Sequence, residues 1–251
     1  MKIHSVIRKG SEHRVFCEDF LWTEENERII CSVILDGCST GKDSHFASSL
    51  YGKALRSQFS TLSFIENKNL DQMAKFVLYN GLCQVNTVRA QLRLGIGELL
   101  ATIIFSIFDK ETKELFVIVV GDGVFTVNGE VFSIDQDNMP DYISYHIETL
   151  VNKDSFDSWF ENFNNKFTFK DVKDFSICSD GILSFKVNKE TSHGEKEPIE
   201  FLTKDSFLIN NPSMLARKCN ILESKHEMVH TDDLSIIRIY DDVEEKLEDF
   251  T

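Results

Sequence analysis

The 251-residue chain is poor in proline and in basic residues. It has three prolines, so a proline-rich linker between domains is not expected. It has 27 Lys and Arg against 41 Asp and Glu, which gives a formal net charge of −14 at pH 7. Proteins that bind nucleic acid or anionic membranes need a cationic surface, and this balance argues against both kinds of partner. A phosphorylated substrate is compatible with the charge where local cations offset it.

Paired cysteines and long apolar segments are also missing. The six cysteines include no Cys-x-x-Cys pair, and Cys31 and Cys178 lie inside apolar runs. This usage is typical of reduced core cysteine rather than of a disulfide framework or a zinc site. No apolar run approaches the roughly 18 residues of a membrane span, and the N-terminal MKIHSVIRKG lacks the apolar centre of a signal peptide. We therefore expect a cytoplasmic protein without membrane association.

The length and composition fit one folded domain. Hydrophobic residues make up 42% and charged residues 27% of the chain, as in an ordinary globular protein. No repeat, low-complexity stretch or shift in composition divides the sequence, so we expect a single domain over residues 1–251. Within it, residues 183–229 are polar and irregular and are expected to form a flap or lid, and residues 241–251 an acidic tail.

Apolar periodicity predicts many strands and few helices. Short apolar runs bounded by turn residues predict strands at 29–35, 99–108, 114–120, 124–127, 131–134, 142–150, 167–169, 175–178 and 234–240. Apolar residues three and four positions apart predict helices over 46–59 and 70–92, with another near 213–222. Asn128-Gly129 is a strong hairpin signal. Helices grouped apart from meandering strands favour an α+β fold.

Acidic residues recur where the apolar strands begin or end. They are Glu18, Asp19, Asp36, Asp122, Asp180, Asp232 and Asp233. A carboxylate beside a buried strand is held at the edge of the sheet. Carboxylates that converge there repel one another unless cations lie between them, and sites made of oxygen ligands alone prefer hard divalent cations. Without paired His or Cys spacing, the set favours Mg²⁺ or Mn²⁺ over zinc. An ordinary Asp-Gly turn explains each member alone, and Asp122 best of all, so the prediction rests on the set.

The order of these motifs resembles that of the metal-dependent protein serine/threonine phosphatases of type 2C. The motifs are Arg-x-x-x-Glu-Asp at 14–19, strand-Asp-Gly at 36–37, Gly-Asp-Gly at 121–123, Ser-Asp-Gly at 179–181 and Asp-Asp-apolar at 232–234. They span the chain from Arg14 to Ile237. Each is weakly specific, whereas their order and spacing together are fairly specific. The resemblance implies a four-layer α/β/β/α sandwich, in which helix pairs flank two antiparallel sheets and two metals bind at one end.

The resemblance also implies which residues act on the substrate. Asp36 matches the aspartate that bridges two Mn²⁺ or Mg²⁺ ions, and Gly37 matches a residue that contributes its backbone carbonyl. Arg14 matches the arginine that grips the substrate phosphate, through two parallel hydrogen bonds that a lysine could not reproduce. Arg14 and Asp36 are therefore the predicted catalytic residues. A solvated surface charge, or an ion pair with Glu18, is the alternative for Arg14.

Five further carboxylates take metal roles by the same resemblance. Asp180 and Asp232 match direct ligands. Glu18 and Asp19 match an acidic pair that holds the metals or their bound waters. Asp122, together with Asp180, matches the aspartates of a weaker third site.

Departures from the family pattern concern residues beside the motifs. Many relatives carry a histidine that protonates the leaving group where this chain has Cys38, and loss of such an acid costs on the order of 10²–10⁴-fold. Asp233 stands where Asn is frequent and is expected only to support the ligands. The histidines near the motifs are expected at the surface or as caps rather than as replacement acids. They are His13, His45 and His230.

We therefore expect a metal-dependent phosphatase that hydrolyses phosphoserine and phosphothreonine by attack of a metal-bridging hydroxide. Its partner would be a phosphorylated protein of unknown identity, and the enzyme is expected to be a monomer. Two alternatives stay open. One is a weak or inactive phosphatase-like module that binds or regulates phosphoproteins, which the missing histidine favours. The other is a hydrolase of small phosphate esters.

Overall fold

The described part of the chain folds into twelve strands and six α-helices. The structure, a computed structural model, describes residues 1–62, 69–136, 140–187 and 197–241. The strands are β1 (Lys2–Arg8), β2 (Asp19–Glu25), β3 (Ile29–Asp36), β4 (Ile103–Asp109), β5 (Leu115–Val120), β6 (Gly123–Val127), β7 (Glu130–Ile134), β8 (Lys166–Phe169), β9 (Asp174–Cys178), β10 (Phe185–Val187), β11 (Met228–His230) and β12 (Leu234–Tyr240). The helices are α1 (Ser44–Phe59), α2 (Leu70–Leu92), α3 (Ile147–Leu150), α4 (Lys153–Asn162), α5 (Pro198–Thr203) and α6 (Met214–Lys225).

Two five-stranded antiparallel sheets form the centre of the fold. Their strand orders are β1-β12-β9-β6-β7 and β2-β3-β4-β5-β8, and β10 pairs with β11 separately. In the second sheet the register places Asp19 opposite Asp36, so two of the predicted site carboxylates lie side by side. The Asn128-Gly129 turn joins β6 to β7, with positive φ at both residues, as a two-residue hairpin requires.

The two sheets pack face to face and helices cover their outer faces. Ile34 and Phe108 of the second sheet pack with Phe125, Ile177 and Ile237 of the first. Central strands covered on both faces need apolar residues in succession rather than in alternation, which is why β3, β4 and β5 are apolar runs. Helices α1 to α4 pack on the second sheet, and α5 and α6 pack on the first. The predicted α+β fold and its α/β/β/α layering are confirmed.

Helix α2 begins and ends as its sequence predicts. The Asn69 side chain accepts a hydrogen bond from the backbone N–H of Gln72 at 2.9 Å, a cap that satisfies one free donor of the first turn. Arg93 ends the helix in the left-handed region, with φ 57°. A regular apolar stripe runs between Asn69 and Arg93, and the predicted range 70–92 is the observed one.

The strand predicted over 142–150 is wrong, and two edge strands were missed. Residues 143–146 form a 3₁₀ turn that continues into α3. Ile143, Ile147 and Leu150 are buried at helical spacing in the core beneath α2, so their period is that of a helix. The edge strands β1 and β2 mix apolar with polar residues, which hides them in a search for apolar runs. The predicted strand 99–108 begins later, at Ile103.

The segment 183–229 is more regular than predicted in its described part. It contains β10, α5, α6 and β11, and two buried cations hold its parts in place. Lys218 of α6 donates to the carbonyls of Phe201 and Asp205, both at 2.7 Å, and so joins α6 to the end of α5 and the residues after it. Arg238 of β12 donates to the Asp205 carbonyl at 2.8 Å and pairs with Asp174 at 2.7 Å, and so joins the segment to the first sheet. The Phe201 carbonyl, in the last turn of α5, thereby has a donor outside its own helix.

Two further expectations concern the tail and the membrane. Of the predicted acidic tail, only Asp241 belongs to the described residues, and it pairs with Lys113 at 3.0 Å. Among the helices of the described ranges, none has the length and apolar character to cross a membrane.

Candidate active site

A cavity of about 570 Å³ lies where strands of both sheets end, and most predicted site residues line it. The predicted metal-site residues in its wall are Glu18, Asp36, Gly37, Asp122, Asp180 and Asp232. Asp36 is the last residue of β3, Asp122 joins β5 to β6, and Asp180 follows β9. The fold therefore brings together carboxylates that are far apart in the sequence.

Two predicted residues lie outside the wall of this carboxylate cavity. Asp19 is buried behind it, and one of its oxygens accepts a hydrogen bond from the Ser179 hydroxyl at 2.9 Å. Arg14 is exposed and lines a second cavity of about 550 Å³. The two cavities share His13, Glu18 and other residues of their common wall, so Arg14 lines the cavity next to the carboxylates.

Burial and mutual repulsion disfavour charge on the clustered carboxylates. Burial, with repulsion from Asp19 and Asp180, holds the pKa of Asp36 well above its usual range. Burial raises the pKa of Asp19 to about 8. Burial and the neighbouring Asp232 and Asp122 raise the pKa of Asp180 to about 6. Such a cluster is costly to ionise unless cations offset it.

The donor chemistry of the cavity fits hard divalent cations. Buried carboxylate oxygens of Glu18, Asp19 and Asp180 lack a hydrogen-bond donor, and oxygen is the ligand that Mg²⁺ and Mn²⁺ prefer. In the described ranges, no three His, Cys, Asp or Glu side chains are arranged so that they could hold a metal ion as they stand. The cavity thus supplies donor atoms of the kind that these cations prefer.

His13 lies inside the site, so its predicted surface position is wrong. Its Nε2 is 2.8 Å from Oδ1 of Asp232, and its Nδ1 is 3.4 Å from Asp233 and 3.6 Å from Glu18. Its side chain is 14% exposed and lines both cavities. Apart from the position of His13 next to the Arg14 motif, these contacts cannot be predicted from the sequence, because Asp232 is 219 residues away.

The other two histidines stay outside the carboxylate cavity. The ring of His45 stacks on Phe16 with centroids 4.2 Å apart. His230 Nδ1 lies 2.9 Å from the carbonyl oxygen of Asp232 and caps the turn before β12. Neither ring lines the carboxylate cavity.

Asp233 supports the site through the backbone of the loop at residues 10–18. It is 1% exposed, and its two oxygens accept hydrogen bonds from the N–H groups of Gly10 and Glu18 at 2.6 and 2.5 Å. The same loop carries His13 and Arg14. Asp233 therefore fixes the loop by both ends, as a residue that supports the ligands rather than lining the cavity.

The glycines of two motifs are required by close backbone contact. A Cβ on Gly37 would lie 2.2 Å from the carbonyl oxygen of Ser44, and one on Gly181 would lie 1.9 Å from that of Asp233. Neither position has room for a side chain. The Asp-Gly pairs are thus junctions between the sheet edge and a neighbouring loop, and not only turns.

An aromatic wall faces the position of the missing histidine. Tyr142 and Tyr145 line the carboxylate cavity with Cys38. Although burial acts to raise the pKa of the Cys38 thiol, hydrogen bonds with Thr40 and Tyr142 lower it from its ordinary value; the Thr40 hydroxyl is 3.1 Å from the sulfur. The sequence does not predict these two tyrosines as site residues, because its pattern over 142–150 is that of a strand.

The α/β/β/α sandwich with strand-terminal carboxylates at one edge of both sheets is the architecture expected for serine/threonine phosphatases of type 2C. The chain belongs to this family, since the model of protein phosphatase 2C matches residues 8–216. The match includes Arg14, Asp36, Asp122 and Asp180 and ends before Asp232.

Solved structures of bacterial phosphatases share the fold over nearly the whole chain. A bacterial serine phosphatase has a TM-score of 0.56 and 17% identity, covering 97% of this chain and 100% of its own. The serine/threonine phosphatase Stp1 from Staphylococcus aureus has a TM-score of 0.57 and 15% identity, covering 96% and 95%. RsbX, solved in complex with magnesium, has a TM-score of 0.53 and 15% identity, covering 94% of each chain. A search of curated protein sequences found no match.

Proposed function

We propose that the chain is a Mn²⁺- or Mg²⁺-dependent phosphatase that hydrolyses phosphoserine and phosphothreonine in proteins. The observation that carries the proposal is the convergence of Glu18, Asp36, Asp122, Asp180 and Asp232 on one cavity. Family membership supports it, as does the magnesium in the complex of RsbX. A cytoplasmic location and a monomeric state stay predictions.

The chain offers ligands for two metals and a weaker third. Asp36 would hold both ions, and the Gly37 backbone carbonyl, Asp180 and Asp232 would be further direct ligands. Glu18 and Asp19 would hold the ions or their waters, and Asp122 would serve the third site. When bound, two such ions would make hydroxide available near neutral pH for attack on phosphorus and would offset the charge of the phosphate oxygens.

The protein's own residues capture and orient the substrate. Arg14, in the cavity next to the carboxylates, would bind phosphate oxygens in a bidentate pair. Asp233 holds the backbone of the loop that carries Arg14. Cys38 provides no imidazole to protonate the leaving oxygen. We therefore expect alkyl phosphates to be hydrolysed more slowly than aryl phosphates. The absence of this imidazole also favours the second candidate function, a weak or inactive phosphatase-like module that binds phosphoproteins.

Metal removal tests the proposal. Hydrolysis of p-nitrophenyl phosphate and of a phosphothreonine peptide should require Mn²⁺ or Mg²⁺ and should stop in EDTA, and calorimetry should detect binding of the metal alone. Metal binding without turnover of either substrate would instead establish the binding module. If the protein neither binds the metal nor hydrolyses either substrate, the carboxylate cavity is not a metal site.

Arg14→Ala should mainly weaken substrate capture. Loss of two charged hydrogen bonds, each worth about 1.5–3 kcal/mol, should lower kcat/KM by roughly 100-fold or more, chiefly through KM. Arg14→Lys should recover only part of the lost kcat/KM, since an ammonium group cannot make the bidentate contact. Arg217→Ala, at an exposed position of α6, is the matched control. Steady-state kinetics that show the same kcat/KM for wild type and Arg14→Ala would remove Arg14 from the mechanism.

A further inference from the structure

The second cavity has an apolar rim that the proposed chemistry does not use. Val15 and Phe16 are 72% and 54% exposed and line this cavity beside Arg14. A single exposed apolar residue is ordinary, but these two are consecutive and stand next to the carboxylate cavity. The stacking of Phe16 on the ring of His45 holds the aromatic side chain in place while more than half of it faces solvent. An ordered exposed ring loses little conformational freedom when it binds a partner.

The charges around the rim restrict what it can bind. Glu12, which lines the same cavity, pairs with Lys186 at 3.1 Å. Arg14 forms no ion pair with any described residue, and it is the cation that a phosphate would engage. Glu18 and Asp232 make the wall that this cavity shares with the carboxylate cavity. With Arg14 engaged, the described residues that line this cavity include no other Lys or Arg to pair with an acidic neighbour of the phosphate, whereas Val15 and Phe16 favour an apolar neighbour.

We propose that the rim of Val15 and Phe16 binds an apolar side chain of the phosphoprotein substrate, about one or two residues from the phosphorylated one. This inference rests on the proposed function and adds a sequence preference to the same site. An extended peptide advances about 3.3 Å per residue. Val15 and Phe16 follow Arg14 in the chain and line the same cavity, so a side chain one or two residues from a phosphate bound beside Arg14 can reach the rim.

Peptide binding tests the inference without requiring turnover. The probes are fluorescein-labelled peptides that carry a phosphonate analogue of phosphothreonine, flanked on both sides by Leu, by Ser or by Glu. Fluorescence anisotropy gives Kd for wild type, for the double variant Val15→Ser/Phe16→Ser and for Phe16→Leu. Leu92→Ser is the matched control, because Leu92 is 57% exposed at the end of α2 and lines neither cavity.

Wild type should bind the Leu-flanked peptide about tenfold more tightly than the Ser-flanked one, and the Glu-flanked one most weakly. The double variant should lose the preference for Leu, whereas Phe16→Leu and Leu92→Ser should keep it. Equal Kd values for the Leu and Ser peptides in wild type, or a preference that survives in the double variant, would overturn the inference.

The peptide-binding result can be told apart from a failure of the proposed function. The proposed function fails if wild type with Mn²⁺ hydrolyses neither p-nitrophenyl phosphate nor a phosphothreonine peptide. A rim-dependent preference in binding without turnover would leave the inference standing for a phosphopeptide-binding module.

Discussion

Asp36→Asn should abolish metal-dependent turnover and, in EDTA, should make the protein more resistant to heat. Asp36 ends β3 directly opposite Asp19 of β2, and it is the proposed ligand of both metals. Removing a direct ligand should cost more than the roughly 10- to 100-fold that loss of a supporting partner costs in metal affinity or activity. Calorimetry with Mn²⁺ and single-turnover hydrolysis of p-nitrophenyl phosphate measure the two losses.

The gain in heat resistance follows from the raised pKa of Asp36. Burial and the neighbouring carboxylates hold this pKa well above its usual range, so the native state retains a proton that the unfolded chain has released. The free energy of unfolding of the metal-free protein therefore falls as the pH rises above the ordinary pKa of about 4. An amide at position 36 removes this contribution, and each 1 kcal/mol recovered raises Tm by about 2–4 °C in a chain of this size.

Thermal unfolding in EDTA at pH 5 and pH 8 measures this effect. The advantage of Asp36→Asn should be larger at pH 8. Asp171→Asn is the matched control, because Asp171 is exposed, has a φ of 54° that Asn also tolerates, and lies outside both cavities. A variant at position 36 with the metal affinity and turnover of wild type would contradict the assignment of Asp36.

The elements that the sequence predicts well are those whose burial is simple. Residues 234–240 are mostly apolar and are buried along a whole central strand, and residues 70–92 carry one apolar stripe with a cap at each end; both match the observed bounds. Edge strands such as β2 need only one buried face, so their polar residues conceal them. Ile143, Ile147 and Leu150 show the opposite error, in which the apolar residues of a short helix pass for a strand.

The residues of the site also fall into those that the sequence predicts and those that it does not. Its carboxylates could be predicted because each follows or precedes an apolar strand, and strand ends meet at sheet edges. His13 and Tyr142 could not, because they reach the cavity on loops whose path depends on tertiary contacts. The path of the loop at 10–18, for example, is set by hydrogen bonds to Asp233, more than 200 residues away in the chain.

Asp233→Ala should therefore impair stability, metal affinity and substrate capture together. The change leaves the buried N–H groups of Gly10 and Glu18 without an acceptor, and unsatisfied groups of this kind cost about 1–3 kcal/mol each. The loop they anchor carries His13 and Arg14, so we expect weaker Mn²⁺ binding and a higher KM for the phosphothreonine peptide. Asp233→Asn should be intermediate, since its amide oxygen can accept one of the two hydrogen bonds and its NH₂ group can accept none.

A loss of stability alone would not establish this role, so the control must be equally buried. Asp109, at the far end of β4, is 1% exposed, accepts from the N–H groups of Glu111 and Thr112 at 2.9 and 3.1 Å, and pairs with Arg28. Asp109→Ala should lower the free energy of unfolding by a similar amount while Mn²⁺ affinity and KM stay those of wild type. If Asp233→Ala shows the same pattern as Asp109→Ala, Asp233 is only a structural residue; if KM and metal affinity change at Asp233 alone, its hydrogen bonds position the loop for catalysis.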